Sequence, residues 1–260
     1  MPIIRRPRTI LKLSGETVRP WLDKLITNSL SAPVTFSALL MPQGKIIADF
    51  FVTAQGDDLL LDTTLDMGPG LLKRLKMFRL REPIEIEDLS ETHHVHCAWG
   101  EGDLPGDPDP RMPSLGTRWI TTERRDVTPG ADYDTHRLSL GVPDSEWDFG
   151  PNTTFPMDAC MDQLNGVDYK KGCFVGQEVV SRMKRMSSVR KRMRTLVLSG
   201  PAEVGDPVKA GEKKVGQVLH VNGTLAMALI RVDKLKQATE SPSVRDARVQ
   251  VMGSVIGTDD

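Results

Sequence analysis

The sequence predicts an α+β protein that ends in a small all-β domain. The first 194 residues mix short alternating strands with amphipathic helices, whereas short apolar runs separated by turn signals follow from about residue 195. The clearest of these turns is Asn222-Gly223 in HVNGTL, which fits a type I′ hairpin. We therefore expect two domains, residues 1–194 and residues 195–260.

A hairpin is the strongest signal in the N-terminal domain. In TFSALLMPQGKIIADFFVTA, two apolar, β-prone runs flank a turn at residues 42–45, and a third strand is expected over residues 59–62. Leucines and a phenylalanine at helical spacing predict a helix over residues 67–81, with Asp66 as its cap. IEIED and HVHCAW alternate like strands, so this domain combines both kinds of element.

Two further helices and one long loop complete the expected elements. ADYDTHRLSLGVP predicts a helix that is stopped by Gly141 and Pro143, and EVVSRMKRM predicts another that begins near Gly176. Residues 100–114 are rich in Gly, Pro and Asp and show no periodicity, so we expect a surface loop there.

Composition limits the possible partners and the cellular location. Lysine plus arginine number 34 against 35 for aspartate plus glutamate, so the net charge of −1 would not by itself attract a nucleic acid or an acidic membrane. No segment approaches the about 18 apolar residues of a membrane span, and no signal peptide is evident. Cys97, Cys160 and Cys173 are widely spaced, which fits a reducing compartment. We expect a cytoplasmic protein that does not bind membranes.

Cys173 lies in an unusual setting, KKGCFVGQEVVSRMKRM. Lys170, Lys171 and the start of the following helix favour a thiolate, while Gly172 and Gly176 suit a tight loop with an exposed side chain. Free cysteines are commonly buried, however, so a packing role stays open beside a reactive or ligating one. No neighbouring histidine supports a hydrolase of the Cys/His type.

Two other clusters have simple structural explanations. In HHVHC, residues 93–97, a strand would place at most two ligands on each face, so histidines on a partly exposed strand are favoured over a metal site. The basic run from Arg182 to Arg194 contains no acid. It is explained about equally well by a phosphate-binding patch and by a solvated helix end that is followed by a linker, with methionines on the buried side of the helix.

The segment KKGCFVGQE resembles the K-G-C-[FY]-x-G-Q-E signature of the YgfZ family. Members of this family are folate-binding relatives of the glycine-cleavage T-protein, and they assist iron–sulfur cluster maturation. The chain is also similar to the family in LSGETVRPWLDKLITNSL, SALLMPQGKIIADFFV, FPMDACMDQLNGVDYKKGC and VGQVLHVNGTLAMALIRV. The resemblance therefore covers nearly the whole chain.

The resemblance implies a GcvT-like fold, in which a folate-binding α+β body carries a small C-terminal β-barrel. Asp158 stands where relatives usually have a glutamate that meets the pterin of tetrahydrofolate or a derivative, and its shorter side chain reduces the reach. Tyr133 would be an aromatic partner of the folate or, equally, a tyrosine on the outer face of a helix. The motif positions carry over to Lys171, Gly172, Cys173, Gly176, Gln177, Glu178 and, as the basic position that follows, Arg182.

The resemblance also implies the function. We expect an accessory protein for iron–sulfur cluster assembly or repair, with client enzymes or assembly proteins as partners and Cys173 as a transient thiolate. A permanent cluster normally needs four ligands, so no permanently bound metal is expected.

Two alternatives remain. One is a tetrahydrofolate-dependent aminomethyltransferase, although no residue is assigned as its catalytic carboxylate, because strand aspartates such as Asp49 and Asp62 are common. The other is a binding protein related to tRNA modification, whose effect on nucleic acid we expect to be indirect.

Overall fold

The computed structural model describes residues 1–185 and 189–253 of the chain. These residues form two compact units, each assembled from three segments. Residues 1–131, 150–153 and 164–179 make the first, called the body unit; residues 132–149, 154–163 and 180 onward make the second, the barrel unit. The predicted domain ranges, 1–194 and 195–260, stay a prediction.

The body unit contains two antiparallel sheets. The larger sheet has the strand order β3 (Val34–Leu40), β4 (Ile46–Gln55), β5 (Asp58–Thr64), β2 (Arg8–Ser14), β6 (Glu85–Asp88). The smaller sheet has the order β1 (Ile3–Arg6), β7 (His94–Ala98), β9 (Thr117–Thr121), β8 (Asp107–Pro108). The unit also contains the helices α1 (Val18–Asp23) and α2 (Gly68–Arg79) and a 3₁₀ turn at Pro113–Leu115.

The predicted hairpin, third strand and following helix are all confirmed, because β3, β4, β5 and α2 lie where the periodicity placed them. The predicted cap is wrong. Met67 precedes α2, and no side chain caps this helix. Pro69 lies in its first turn and has no amide hydrogen, which leaves fewer amides for Asp66 to satisfy.

The barrel unit is built around a closed six-stranded antiparallel barrel. Its strand order is β10 (Arg192–Leu198), β13 (Leu225–Ile230), β12 (Lys213–Asn222), β11 (Pro207–Ala210), β14 (Pro242–Val244), β15 (Ala247–Val251). Apolar side chains fill its interior, among them Leu196, Val208, Val218, Ala228 and Ile230. The helices α3 (Tyr133–Ser139) and α5 (Val232–Lys236) belong to the same unit.

The β12–β13 hairpin is confirmed, but its turn type is not. Asn222 still pairs with Leu225 in the strands, so Gly223 and Thr224 form the turn. Of these residues only Gly223 has a positive φ, 58°. A type I′ turn needs positive φ at both central residues, so the predicted Asn222-Gly223 turn is wrong.

The helix α4 (Gln177–Arg185) follows the loop that carries Cys173. Its start matches the helix that the sequence predicts near Gly176. Within the described residues, no helix is long and apolar enough to cross a membrane.

A buried ion cluster joins the two sheets of the body unit. Asp62 of β5 is fully buried, and its Oδ1 accepts hydrogen bonds from Arg8 Nε of β2 at 3.0 Å and from Arg118 Nη2 of β9 at 2.9 Å. The Arg118 guanidinium carbon lies 3.4 Å from the centroid of the Phe51 ring. Asp62 therefore has a structural role as the shared counter-ion of two buried arginines.

The two arginines decide the ionisation of Asp62. Burial alone would raise the pKa of Asp62, but Arg118 and Arg8 outweigh burial and hold this pKa below its ordinary value. Because the pKa of Asp62 is lower in the folded protein, its ionised carboxylate stabilises the fold at every pH above the ordinary carboxyl pKa. That stabilisation is lost as the pH falls through the lower, folded value.

Replacing this carboxylate should strongly destabilise the protein. We expect Asp62→Asn to lower the free energy of unfolding by about 3–5 kcal/mol, because two buried guanidinium groups lose their counter-ion. Urea unfolding at pH 7 measures the change. Asp58→Asn is the matched control, since Asp58 lies in the same strand but pairs with Lys12 at the surface at 2.9 Å. Equal losses in the two variants would contradict the prediction.

Candidate functional site

Cys173 is the exposed cysteine of this chain. Cys97 and Cys160 are buried, and burial raises the pKa of both thiols. Cys173 lies in the loop that precedes α4, and its side chain is open to solvent. The packing role that the sequence left open for Cys173 is therefore excluded, whereas its role as a thiolate stays a prediction.

Lys171 anchors this loop to the body unit. Its side chain is 3% exposed, and its Nζ donates to the backbone carbonyls of Asp23 at 2.6 Å, Asn28 at 2.9 Å and Ile26 at 3.0 Å. Nζ also lies 3.4 Å from Asp23 Oδ1. Burial lowers the pKa of Lys171, and Asp23 opposes this effect. The partners of the ammonium group therefore lie at the C-terminal end of α1 and in the residues that follow this helix.

Asp168 forms the turn that leads into the loop. Its Oδ1 accepts from the backbone amides of Lys170 at 2.8 Å and Lys171 at 3.2 Å, and its Oδ2 accepts from Ser29 Oγ at 2.6 Å. These hydrogen bonds, Ser29 first, hold the pKa of Asp168 below its ordinary value. Asp168 is a residue of this loop that the K-G-C-[FY]-x-G-Q-E signature does not include. An aspartate two residues before a turn amide is the pattern that could have revealed it.

Two glycines allow the loop to pack on the β3–β4 turn. Gly176 has φ +82°, and a Cβ there would lie 2.8 Å from the carbonyl oxygen of Met41. Gly44 of the PQGK turn also has φ +82°, and its Cβ would lie 2.9 Å from the Val179 side chain. The two sequence motifs therefore meet in space. Gly172 differs, because a Cβ there would meet nothing within 4 Å.

The remaining motif residues lie at the start of α4. Gln177 Nε2 donates to the carbonyl of Gly172 at 3.5 Å, a long hydrogen bond that closes the loop. Glu178 lies in the first turn of the helix, and Arg182 is exposed further along it. The functional roles that the resemblance implies for these residues stay predictions.

The basic run is only partly a solvated surface. Lys184 and Arg185 are exposed, and residues 186–188 lie outside the described residues. At the other end, Arg192 is buried and pairs with Asp162 at 2.8 Å, and Arg194 is buried and donates to Cys160 Sγ at 3.3 Å. The expectation of one continuous solvated or phosphate-binding stretch is therefore wrong at its C-terminal end.

The two predicted folate residues lie in the barrel unit. The carboxyl of Asp158 is largely buried, and burial raises its pKa to about 6 against the opposing charges of Lys191 and Arg192. Within the described residues, no hydrogen-bond donor reaches this carboxyl group. Tyr133 is 3% exposed in α3, so the alternative of a tyrosine on the outer face of a helix is wrong. Folate binding by these residues stays a prediction.

The HHVHC residues include the start of the strand β7, which is partly exposed, as the sequence predicts. His96 is fully buried and stacks on Trp119 with ring centroids 5.3 Å apart, and Cys97 is buried. His93 and His94 are partly exposed. Across residues 1–185 and 189–253, no group of three or more His, Cys, Asp or Glu side chains is placed to hold a metal ion.

Comparison with solved structures defines the fold. The chain is similar to the glycine cleavage system aminomethyltransferase T from Bartonella henselae, with a TM-score of 0.74 and 13% sequence identity. The match covers 98% of this chain and 85% of that chain. The predicted fold class is confirmed: this is a mixed α+β protein with the GcvT-like aminomethyltransferase fold and a C-terminal six-stranded barrel.

Sequence comparison adds a more specific relationship. A family model of the CAF17 C-terminal β-barrel domain matches residues 190–253. Proteins named iron–sulfur cluster assembly factor IBA57 homolog, mitochondrial, are 28% identical in Neurospora crassa (74% of this chain, 52% of the relative) and 30% identical in Mycosarcoma maydis (72% and 54%). The chain thus spans about half the length of these two relatives.

The match to the human IBA57 protein covers a larger share of the relative than the two fungal matches do. Iron–sulfur cluster assembly factor IBA57, mitochondrial, of Homo sapiens is 26% identical, and the match covers 95% of this chain and 82% of the human protein. The chain is therefore related to the IBA57 proteins and shares the GcvT-like fold. Membership of the YgfZ family itself stays a prediction. The cytoplasmic location expected from the sequence is contradicted, because these relatives are named as mitochondrial proteins.

The anchoring of the loop by Lys171 can be tested by removing its ammonium group. We expect Lys171→Met to lower the free energy of unfolding by about 2–4 kcal/mol, because three carbonyl acceptors lose their buried donor. Lys170→Met is the matched control, since Lys170 is exposed and should change stability by about 0.5 kcal/mol or less. Urea unfolding of both variants measures the difference. A Lys171→Met variant as stable as the control would show that the carbonyl contacts do not anchor the loop.

The raised pKa of Asp158 predicts a pH-dependent stability. Between the ordinary carboxyl pKa of 3.8 and the folded value of about 6, the folded state binds more protons than the unfolded state. Ionisation of Asp158 therefore removes up to about 3 kcal/mol of stability as the pH rises through this window. We expect Asp158→Asn to gain stability relative to the wild type between pH 4 and pH 7, measured by urea unfolding at each pH. A difference that does not vary with pH would argue against the raised pKa.

Proposed function

We propose that this protein assists the assembly or repair of iron–sulfur clusters, and that Cys173 is a transient thiolate ligand of the cluster. The observation that carries the proposal is the exposure of Cys173, alone among the three cysteines, on a loop that Lys171 anchors. The IBA57 relatives, which are named as iron–sulfur cluster assembly factors, support this class of function.

The number of available ligands favours a shared cluster over a resident one. An iron–sulfur cluster normally has four protein ligands, most often thiolates. Cys97 and Cys160 are buried with raised pKa values, which leaves Cys173 as the accessible thiol. The cluster is therefore cargo, and the other ligands come from an iron–sulfur assembly protein or a client enzyme.

The loop geometry suits this task. A partner can reach Cys173 because its side chain is exposed. Lys171 and Asp168 fix the backbone before the thiol, and Gly176 packs against the β3–β4 turn behind it. A loop that is already ordered loses little conformational freedom when its thiol binds a shared cluster, so more of the interaction energy remains for binding.

The central test replaces the thiol. In a strain that lacks this protein, we expect the wild-type chain to restore the activities of iron–sulfur enzymes and Cys173→Ala to leave them at the level of the deletion strain. Cys97→Ala is the matched control, since it removes a buried thiol in the same unit and should restore activity. Immunoblotting shows whether each variant accumulates, and Cys173→Ser provides a second replacement at an exposed position.

Two outcomes would overturn the proposal. One is full restoration by Cys173→Ala when the variant accumulates normally. The other is a tightly bound, stoichiometric cluster in the anaerobically purified protein that survives Cys173→Ala, because the cluster would then be resident and independent of this thiol.

A folate-dependent transferase is the second candidate, and Asp158 is the observation that favours it. A carboxyl with a pKa of about 6 exists in both protonation states near neutral pH, so it can either donate or accept a hydrogen bond to a pterin ring. Tyr133 would be the aromatic partner. Turnover with tetrahydrofolate and an amine donor, more sensitive to Asp158→Ala than to Cys173→Ala, would favour this candidate over the assembly role.

A further inference from the structure

The body unit contains a cleft beside Pro7, where β1 ends and β2 begins. The cleft has a volume of about 630 Å³, within the range of small-ligand sites. Basic side chains from three separate segments surround it. They are Arg5, Arg6, Arg8, His93, His94 and Arg124. We call this feature the Pro7 cleft, and it contains no residue of the Cys173 loop.

Positive charge dominates the Pro7 cleft. Glu91 is the one acid in its lining. Arg5 and Arg124 are exposed, and within the described residues no carboxylate pairs with either of them. Arg6 and Arg8 differ, because both are buried, and Arg8 also pairs with Asp62 at 3.0 Å. The free positive charge at the mouth of the cleft therefore comes from Arg5 and Arg124.

Two basic groups of the cleft, Arg124 and His94, contact each other. Arg124 Nε donates a hydrogen bond to His94 Nε2 at 3.4 Å. Burial, followed by the charges of Arg124 and Arg5, lowers the pKa of His94. An anion in the cleft would accept hydrogen bonds from both arginines and would lessen their repulsion of a protonated His94.

Apolar side chains also line the cleft. Ile10 and Val95 are buried, and Leu65 is 57% exposed at the edge. An exposed leucine beside a cluster of arginines suits a ligand with a charged group and an apolar body. An inorganic ion alone would leave the apolar part of the cleft without a partner.

We propose that the Pro7 cleft binds a small molecule that carries a phosphate monoester next to an apolar group. Two arginines and two histidines approach the cleft from different segments. A phosphate monoester has more acceptor oxygens than a carboxylate, so it can bind more of these donors at once. Arg5 and Arg124 bind the phosphate, and the exposed Leu65 contacts the body of the ligand.

The proposal is tested by calorimetric titration of the full chain with phenyl phosphate, inorganic phosphate and benzoate. Phenyl phosphate should bind more tightly than either of the others, because it has both the dianion and the apolar group. Arg5→Gln and Arg124→Gln should each weaken the binding of phenyl phosphate about tenfold or more, as expected for the loss of a charge-assisted hydrogen bond.

The control is Arg125→Gln, which removes the same charge one residue further along the chain. The Arg125 side chain is 57% exposed and pairs with Glu123 at 3.7 Å, outside the lining of the cleft. It should leave the affinity for phenyl phosphate unchanged. Three results would overturn the proposal: no saturable binding of phenyl phosphate, equal weakening by Arg125→Gln, or tighter binding of benzoate than of phenyl phosphate.

Discussion

The body unit depends on one buried carboxylate, that of Asp62. Its side chain receives Arg8 from the larger sheet and Arg118 from the smaller sheet, so a single charge fixes the distance between the two layers. The same contact fixes Arg8, which lines the Pro7 cleft. An ion pair that aligns the sheets thus also sets the geometry of a surface site. Among common side chains, only a carboxylate offers two oxygens and a full negative charge in so little volume.

The conformation of the Cys173 loop is also fixed by contacts between residues that are far apart in the sequence. Lys171 donates to the carbonyl of Asp23, 148 positions earlier in the chain, and Gly176 packs against the β3–β4 turn. Both contacts join segments that are far apart in the sequence, and one of them reaches the last residue of α1. The loop acquires a defined conformation because one buried ammonium donates hydrogen bonds to three backbone carbonyls.

The elements that depend on local sequence patterns could be predicted, whereas these long-range contacts could not. The hairpin β3–β4, the helix α2 and the all-β C-terminal part follow from local periodicity and turn residues, which act over a few positions. The partners of Lys171 and the burial of Arg192 depend on tertiary packing, so sequence patterns suggested a charge beside the thiol and a solvated arginine instead. The glycines beside Cys173 allowed an exposed thiol but did not exclude a buried one, since that choice also depends on tertiary packing.

Exposure and anchoring together distinguish Cys173 from an ordinary surface cysteine. A thiol on an unanchored loop would have to lose backbone freedom whenever a partner engaged it, at a cost of about 1–2 kcal/mol for each residue that becomes ordered. Here the residues before the thiol are already held by Lys171 and Asp168. A shared metal–thiolate bond could therefore form and break without remodelling the loop. Rapid reversibility of this kind is what a transient cluster ligand needs, whereas a permanent site would gain more from additional thiolates.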